Sequence, residues 1–194
     1  MRLTRLSLIF VLMLPIQSCG ESSIQRDLAQ QKAAQMSFQS LLDRRDLIKN
    51  KVSVLVPKAF NDLDLENLRR KYPNENRPDI VLSNSDGTIN LTFAHKPNRL
   101  RPDQLELALG SISTGFRKLY PSATWYREEI VNINSRKFFI VELTHPSLDG
   151  DIHNIIAGTS FEGRFMLIGF NFTVEEGMEW ASRGRTIVES IQIK

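Results

Sequence analysis

Apolar residues recur along this chain with a period of two in some stretches and near three and a half in others, and the switches between them lay out most of the elements. Lys51 to Val56 places Val52, Val54 and Val56 on one side of a strand, which Pro57 ends because it lacks a ladder donor. Another strand is expected near Ser37 to Leu42. Asp62 or Asp64 caps a short helix in which Leu65, Leu68 and Tyr72 repeat at helical spacing, and Pro73 stops it. Asp79 to Asn84 and Thr88 to His95 flank Asp86-Gly87, a dipeptide suited to a tight primed turn whose two central residues take positive φ.

Pro102 and Asp103 open a long helix with Leu105, Leu109, Ile112, Phe116 and Leu119 on one stripe, closed by Pro121. A meander of four strands follows, Thr124 to Ile133, Lys137 to His145, His153 to Phe161 and Arg164 to Phe172. Asn134-Ser135, the Pro146 to Ile152 loop and Glu162-Gly163 separate them. The strands are apolar on both sides: Phe139, Val141 and Leu143 alternate with Phe138 and Ile140. Thr173 and Glu176 have capping-box spacing before a terminal helix. Trp180, Ala181, Gly184, Ile187, Val188 and Ile191 form its buried stripe, with Gly184 marking close approach to the sheet. A sheet apolar on both faces needs cover on both, and hairpin connections make it antiparallel. The fold class is therefore α+β, an antiparallel sheet of about six to seven strands with helices on both faces.

Length and composition fit a single globular domain with its own core: 194 residues, 41% hydrophobic and 24% charged. The amino terminus is different. Arg2 and Arg5 precede an apolar run from Leu6 to Ile16, too short for the roughly 20 residues of a spanning helix, so residues 1–18 read as a signal peptide. Removing Arg2 and Arg5 from the 25 basic residues leaves one more than the 22 acidic ones, a balance that points to no nucleic-acid partner.

The sequence Ile16-Gln17-Ser18-Cys19 resembles the bacterial lipobox, with a branched apolar residue three places before the cysteine and a small one directly before it. Gln17 departs from the small residue usual at its place. The resemblance implies that Cys19 becomes the first mature residue, acylated on its sulfur and its new amino group. Multiple chains make such an anchor durable, since each buried methylene contributes roughly 0.8 kcal/mol and one chain holds only marginally. The alternative is an ordinary secretory leader followed by an incidental cysteine. Gly20 is not the aspartate that marks inner-membrane retention in enteric bacteria, so the resemblance favours the outer membrane, facing the periplasm. Residues 19–36 read as the lipidated cysteine and a polar tether, and 37–194 as the domain. Fully extended, the tether reaches on the order of 55 to 60 Å. A docked first helix using Leu28, Ala29 and Met36 is the alternative.

The order of elements from about residue 48 to 193 resembles the PsbP-like family, including the bacterial DcrB-type lipoproteins. The local features that carry it are Val54-Leu55-Val56-Pro57 leading to Phe60, the strand with Gly169, Phe170 and Phe172 before the last helix, and an ending from Ile187 to Ile193 that contains Ser190. The resemblance implies a sheet with helices on both faces and non-catalytic binding or assembly roles that differ among members. It transfers no catalytic residue.

Candidate chemistry is sparse. No G-x-S-x-G elbow, GxxxxGK[ST] loop or GxGxxG loop occurs, so neither a presented serine nor a phosphate cradle is marked, and no cofactor is expected. His145, Asp149, Asp151 and His153 could converge on a divalent metal, yet Pro, Ser, Asp and Gly are also what a hairpin loop needs, with both histidines facing solvent. His95 reads as solvated. Arg69, Arg70 and Lys71, Arg99 and Arg101, and Arg117 and Lys118 read as solvated basic faces. Three readings follow: a lipid-anchored envelope protein that binds a protein partner or assists assembly without catalysis; a periplasmic immunity lipoprotein against a secreted toxin; and a metal-dependent hydrolase around His145 to His153.

Overall fold

The computed structural model describes residues 23–73, 77–148 and 150–194, so the leader, Cys19 and Asp149 lie outside the described residues. The chain divides into two compact units at Met36/Ser37. Helix α1 (Ser23–Ser40) occupies the described part of the first and ends in the second. It is polar, and Ile24, Leu28 and Met36 are exposed. At 1.5 Å per residue, its 18 residues span about 27 Å. The strand expected near Ser37 to Leu42 is instead the end of this helix; β1 (Leu42–Leu47) begins after it.

In the second unit, β1, β2 (Val52–Pro57) and β10 (Gln192–Ile193) form a small antiparallel sheet with β2 central. The main sheet is built from β3 (Asn61–Asp62), β4 (Ile80–Ser83), β5 (Ile89–Arg99), β6 (Thr124–Ile133), β7 (Arg136–His145), β8 (Ile152–Phe161) and β9 (Arg164–Thr173). Their spatial order is β3-β4-β5-β9-β8-β7-β6, antiparallel throughout. Asn134-Ser135 and Glu162-Gly163 are the tight turns, each with positive φ at both residues, and they set the registers Ile133↔Arg136 and Phe161↔Arg164. Asp86-Gly87 is not a tight turn. Only Gly87 takes positive φ there, because Asn84 Oδ1 accepts from the Thr88 and Ile89 amides at 3.0 Å and holds the wider loop 84–88.

Helix α2 (Leu65–Lys71) is capped by Asp64, whose Oδ1 accepts from the Asn67 amide at 2.9 Å. Helix α3 (Leu105–Leu119) covers one face of the sheet, where Leu105, Phe139, Val141 and Leu143 are buried. Leu119, at the end of the expected stripe, is 67% exposed. The other face packs on α4 (Glu179–Glu189) and on β2: Ala181, Ile187 and Val188 meet Val52, Val54 and Val56, with Phe138, Ile140, Phe170 and Phe172 from the sheet. An added Cβ on Gly184 would lie 2.3 Å from the Phe170 ring, so only glycine lets α4 come this close. Trp180 is half-buried, stacked on Phe170 and edge-on to Phe38. The capping box expected at Thr173 and Glu176 does not form: Val174–Glu176 is a single 3₁₀ turn with no side-chain cap, and Glu176 instead bonds the Thr88 hydroxyl.

Candidate functional site

The alternation that points Phe138 and Ile140 toward α4 also points Glu142 there, and its side chain is fully buried. Two partners meet it. Arg185 of α4 donates Nε to both carboxylate oxygens at 3.1 and 3.0 Å and Nη2 to Oε1 at 2.6 Å. His153 of β8, also fully buried, lies with Nε2 3.0 Å from the same Oε1. Burial alone pushes the Glu142 pKa up; the hydrogen bonds from His153 and Arg185, with the Arg185 charge, outweigh it and hold the carboxyl below its ordinary value. An ionised carboxylate only accepts, so Nε2 of His153 carries a proton.

The polar chain continues outward. His153 Nδ1 is 2.9 Å from the Thr144 hydroxyl, which is 3.4 Å from that of Tyr126. A register shift between Trp125 and Arg127 turns Trp125 toward α3, under the Arg117 guanidinium, while the Tyr126 ring lies 5.2 Å from that of His153. A hydroxyl, an imidazole and a carboxylate in series can polarise the hydroxyl. Here Arg185 also balances the charge of the carboxylate, and the series links α4 to β7 and β8 of the sheet.

Beside this cluster a cavity of about 230 Å³ opens between α4 and β6. Val131, Ile140, Ile155 and Val188 give it an apolar floor, and Arg127, Arg185 and Glu189 stand around it. Arg127 bonds Glu129 at 2.7 Å and lies 3.6 Å from Glu189. β6 is an edge strand of the main sheet.

The residues considered for a metal do not converge. Thr144 pairs with His153 and His145 with Ile152, so the two imidazoles emerge on opposite faces of the sheet. Neither faces solvent as expected. His145 is buried, stacked on Tyr120 with ring centroids 3.6 Å apart, and its Nδ1 donates to the Pro146 carbonyl at 2.8 Å. Asp151 is exposed, and Asp149 is outside the described residues. Among the described residues no group of three or more His, Cys, Asp or Glu is placed to hold a metal. His95 is not solvated either: Nε2 lies 3.1 Å from the Phe161 carbonyl, and Arg164 donates to Nδ1 at 3.2 Å. Of the basic runs, Lys71 is drawn inward, bonding Asn90 at 2.8 Å, and burial lowers its pKa. Arg101 pairs with Asp103 and Arg117 with Glu128.

The solution structure of cyanobacterial PsbP (CyanoP) from Synechocystis sp. PCC 6803 superposes with a TM-score of 0.57, covering 79% of this chain and 92% of that one at 13% identity. The domain has a PsbP-like fold. At that identity the PsbP likeness is one of architecture alone. LpqN of Mycobacterium tuberculosis, described as involved in cell envelope biogenesis, gives 0.49 at 11% identity over 74% of this chain and 83% of its own. The immunity protein TplEi of Pseudomonas aeruginosa gives 0.40 at 8%, over 86% and 83%. The PsbP-like assignment rests on CyanoP. No protein-family model matches the chain, and the comparison with curated proteins gives no match. No helix among the described residues is long and apolar enough to cross a membrane.

Proposed function

We propose that this chain is an envelope lipoprotein, held at the outer membrane by acylated Cys19, whose PsbP-like domain binds a protein partner and carries out no chemistry of its own. Residues 1–18 are the leader in this reading, and 19–36 are the spacer. The polar, exposed helix α1 supports a spacer stiffer than a random coil.

One observation carries the binding reading. The buried Glu142 carboxylate is satisfied by His153 and Arg185, while the apolar-floored cavity beside them opens along the edge strand β6. The test is made in the native envelope. Mass spectrometry should find acylated Cys19 as the mature terminus, and Cys19→Ser should leave an unprocessed or soluble species with the same melting temperature. An unmodified terminus elsewhere would remove the anchor from this account.

A further inference from the structure

Resting on the binding reading above, we propose that the cavity between α4 and β6 receives the free C-terminus of the partner protein, with its last side chain, an apolar one, on the floor and its carboxylate against Arg185 and Arg127. Arg185 is the fixed point. Its Nε and Nη2 are spent on the buried Glu142, whereas Nη1 makes no hydrogen bond among the described residues, and the side chain lines the cavity. A guanidinium pinned on one edge presents its remaining donors with little further loss of rotamer freedom, which favours a planar carboxylate.

Two resident anions already meet Arg127: Glu129 accepts from its Nε at 2.7 Å and stays on that edge, and Glu189 lies 3.6 Å from Nη1. The Glu189 charge acts on Arg185 as well, but its side chain is 57% exposed. It is weakly held, so an incoming carboxylate can take its place. The floor of Val131, Ile140, Ile155 and Val188 shares the same small volume with both arginines. At about 230 Å³ it is smaller than typical ligand pockets and suits one side chain. A chain terminus joins its carboxylate and an apolar side chain on one residue; an internal acidic residue does not.

The open edge of β6 completes the site, because an extended peptide can add to an unpaired strand edge and deliver its terminus to the cavity. A second copy fits that edge poorly: Arg127, Glu128 and Glu129 lie at the middle of β6, and self-pairing brings its acidic residues toward one another.

The test uses the full chain and fluorescence polarisation with labelled threonine peptides ending in Val, Leu, Ile or Phe, each as free acid and as amide. At least one free acid should bind, and its amide should bind about tenfold or more weakly. Arg127→Ala should weaken the free acid about fivefold, and Glu189→Gln should tighten it roughly two- to fivefold. The proposal is overturned if no free acid binds, if acid and amide bind alike, if an amidated peptide with an internal Val-Asp binds as well as the free acid, or if Glu189→Gln fails to tighten binding. A partner crosslinked in the envelope equally by wild type and by Arg127→Ala would leave the binding reading standing while removing this site.

Discussion

Glu142 and Arg185 tie the terminal helix to the sheet through three hydrogen bonds, from Nε at 3.1 and 3.0 Å and from Nη2 at 2.6 Å, although they are 43 residues apart in the chain. The carboxylate is fully buried and the guanidinium side chain is 38% exposed. Removing one member leaves the other without its counter-charge, and the penalty is asymmetric: a stranded buried carboxylate costs more than a stranded arginine that can reach water.

Arg185→Met should therefore destabilise the protein by about 3 kcal/mol, and Glu142→Gln by a smaller amount of about 2 kcal/mol. Equilibrium denaturation checks the order. The pH dependence has a definite sign. Because the folded-state pKa of Glu142 is lowered, its contribution is full above the ordinary value of 4.5 and is lost as pH falls through the lowered folded value. Glu142→Gln should flatten that acid limb of the stability profile; an unchanged limb would mean the carboxylate is not held as described.

His145 and His153 should behave as unrelated structural residues. His153→Ala removes a buried group that bonds Glu142 and Thr144, and should cost about 2 to 4 kcal/mol. His145→Ala loses the stack on Tyr120 and should cost about 1 kcal/mol. Since they share no partner and emerge on opposite faces, the double mutant should be near the sum. Melting curves with and without chelator test this, and a chelator-sensitive wild type would restore a metal to the account.

Two helical glycines should respond in opposite directions. Gly110 has nothing within 4 Å of a built Cβ, so Gly110→Ala should stabilise by up to about 1 kcal/mol through helix propensity. Gly184→Ala gains the same propensity but drives a methyl into Phe170 and Ile155, and should destabilise by about 1 to 3 kcal/mol net. Thermal denaturation of both variants checks the sign.

Strand alternation made the meander legible almost residue by residue, because a half-buried period of two has one solution when both faces must be covered. Turn chemistry was less legible. Asn134-Ser135 and Glu162-Gly163 accept positive φ, but whether Asp86-Gly87 forms a tight turn depends on Asn84 capturing two amides, which no dipeptide rule encodes. The Thr173 box failed because Gly177, at φ +100°, interrupts the chain before α4 begins. The charged cluster left one readable sign: Glu142 continues the Phe138, Ile140 parity into the core, and a carboxylate there requires partners. Arg185 carries no such sign, because it lies on the helix beside the buried stripe and only the packing brings it to Glu142.

In the proposed function, the domain is held at the membrane through Cys19 and presents its α4/β6 side to a protein partner. Photocrosslinking from single positions in the intact protein, in its native envelope, tests it most directly. A photoreactive residue at Asn132, exposed on β6, should yield one discrete protein adduct that is lost when Cys19→Ser releases the protein from the membrane. The same residue at Leu107, 70% exposed on α3, should yield none. An adduct from Leu107 with none from Asn132, or an Asn132 adduct indifferent to Cys19→Ser, would contradict it.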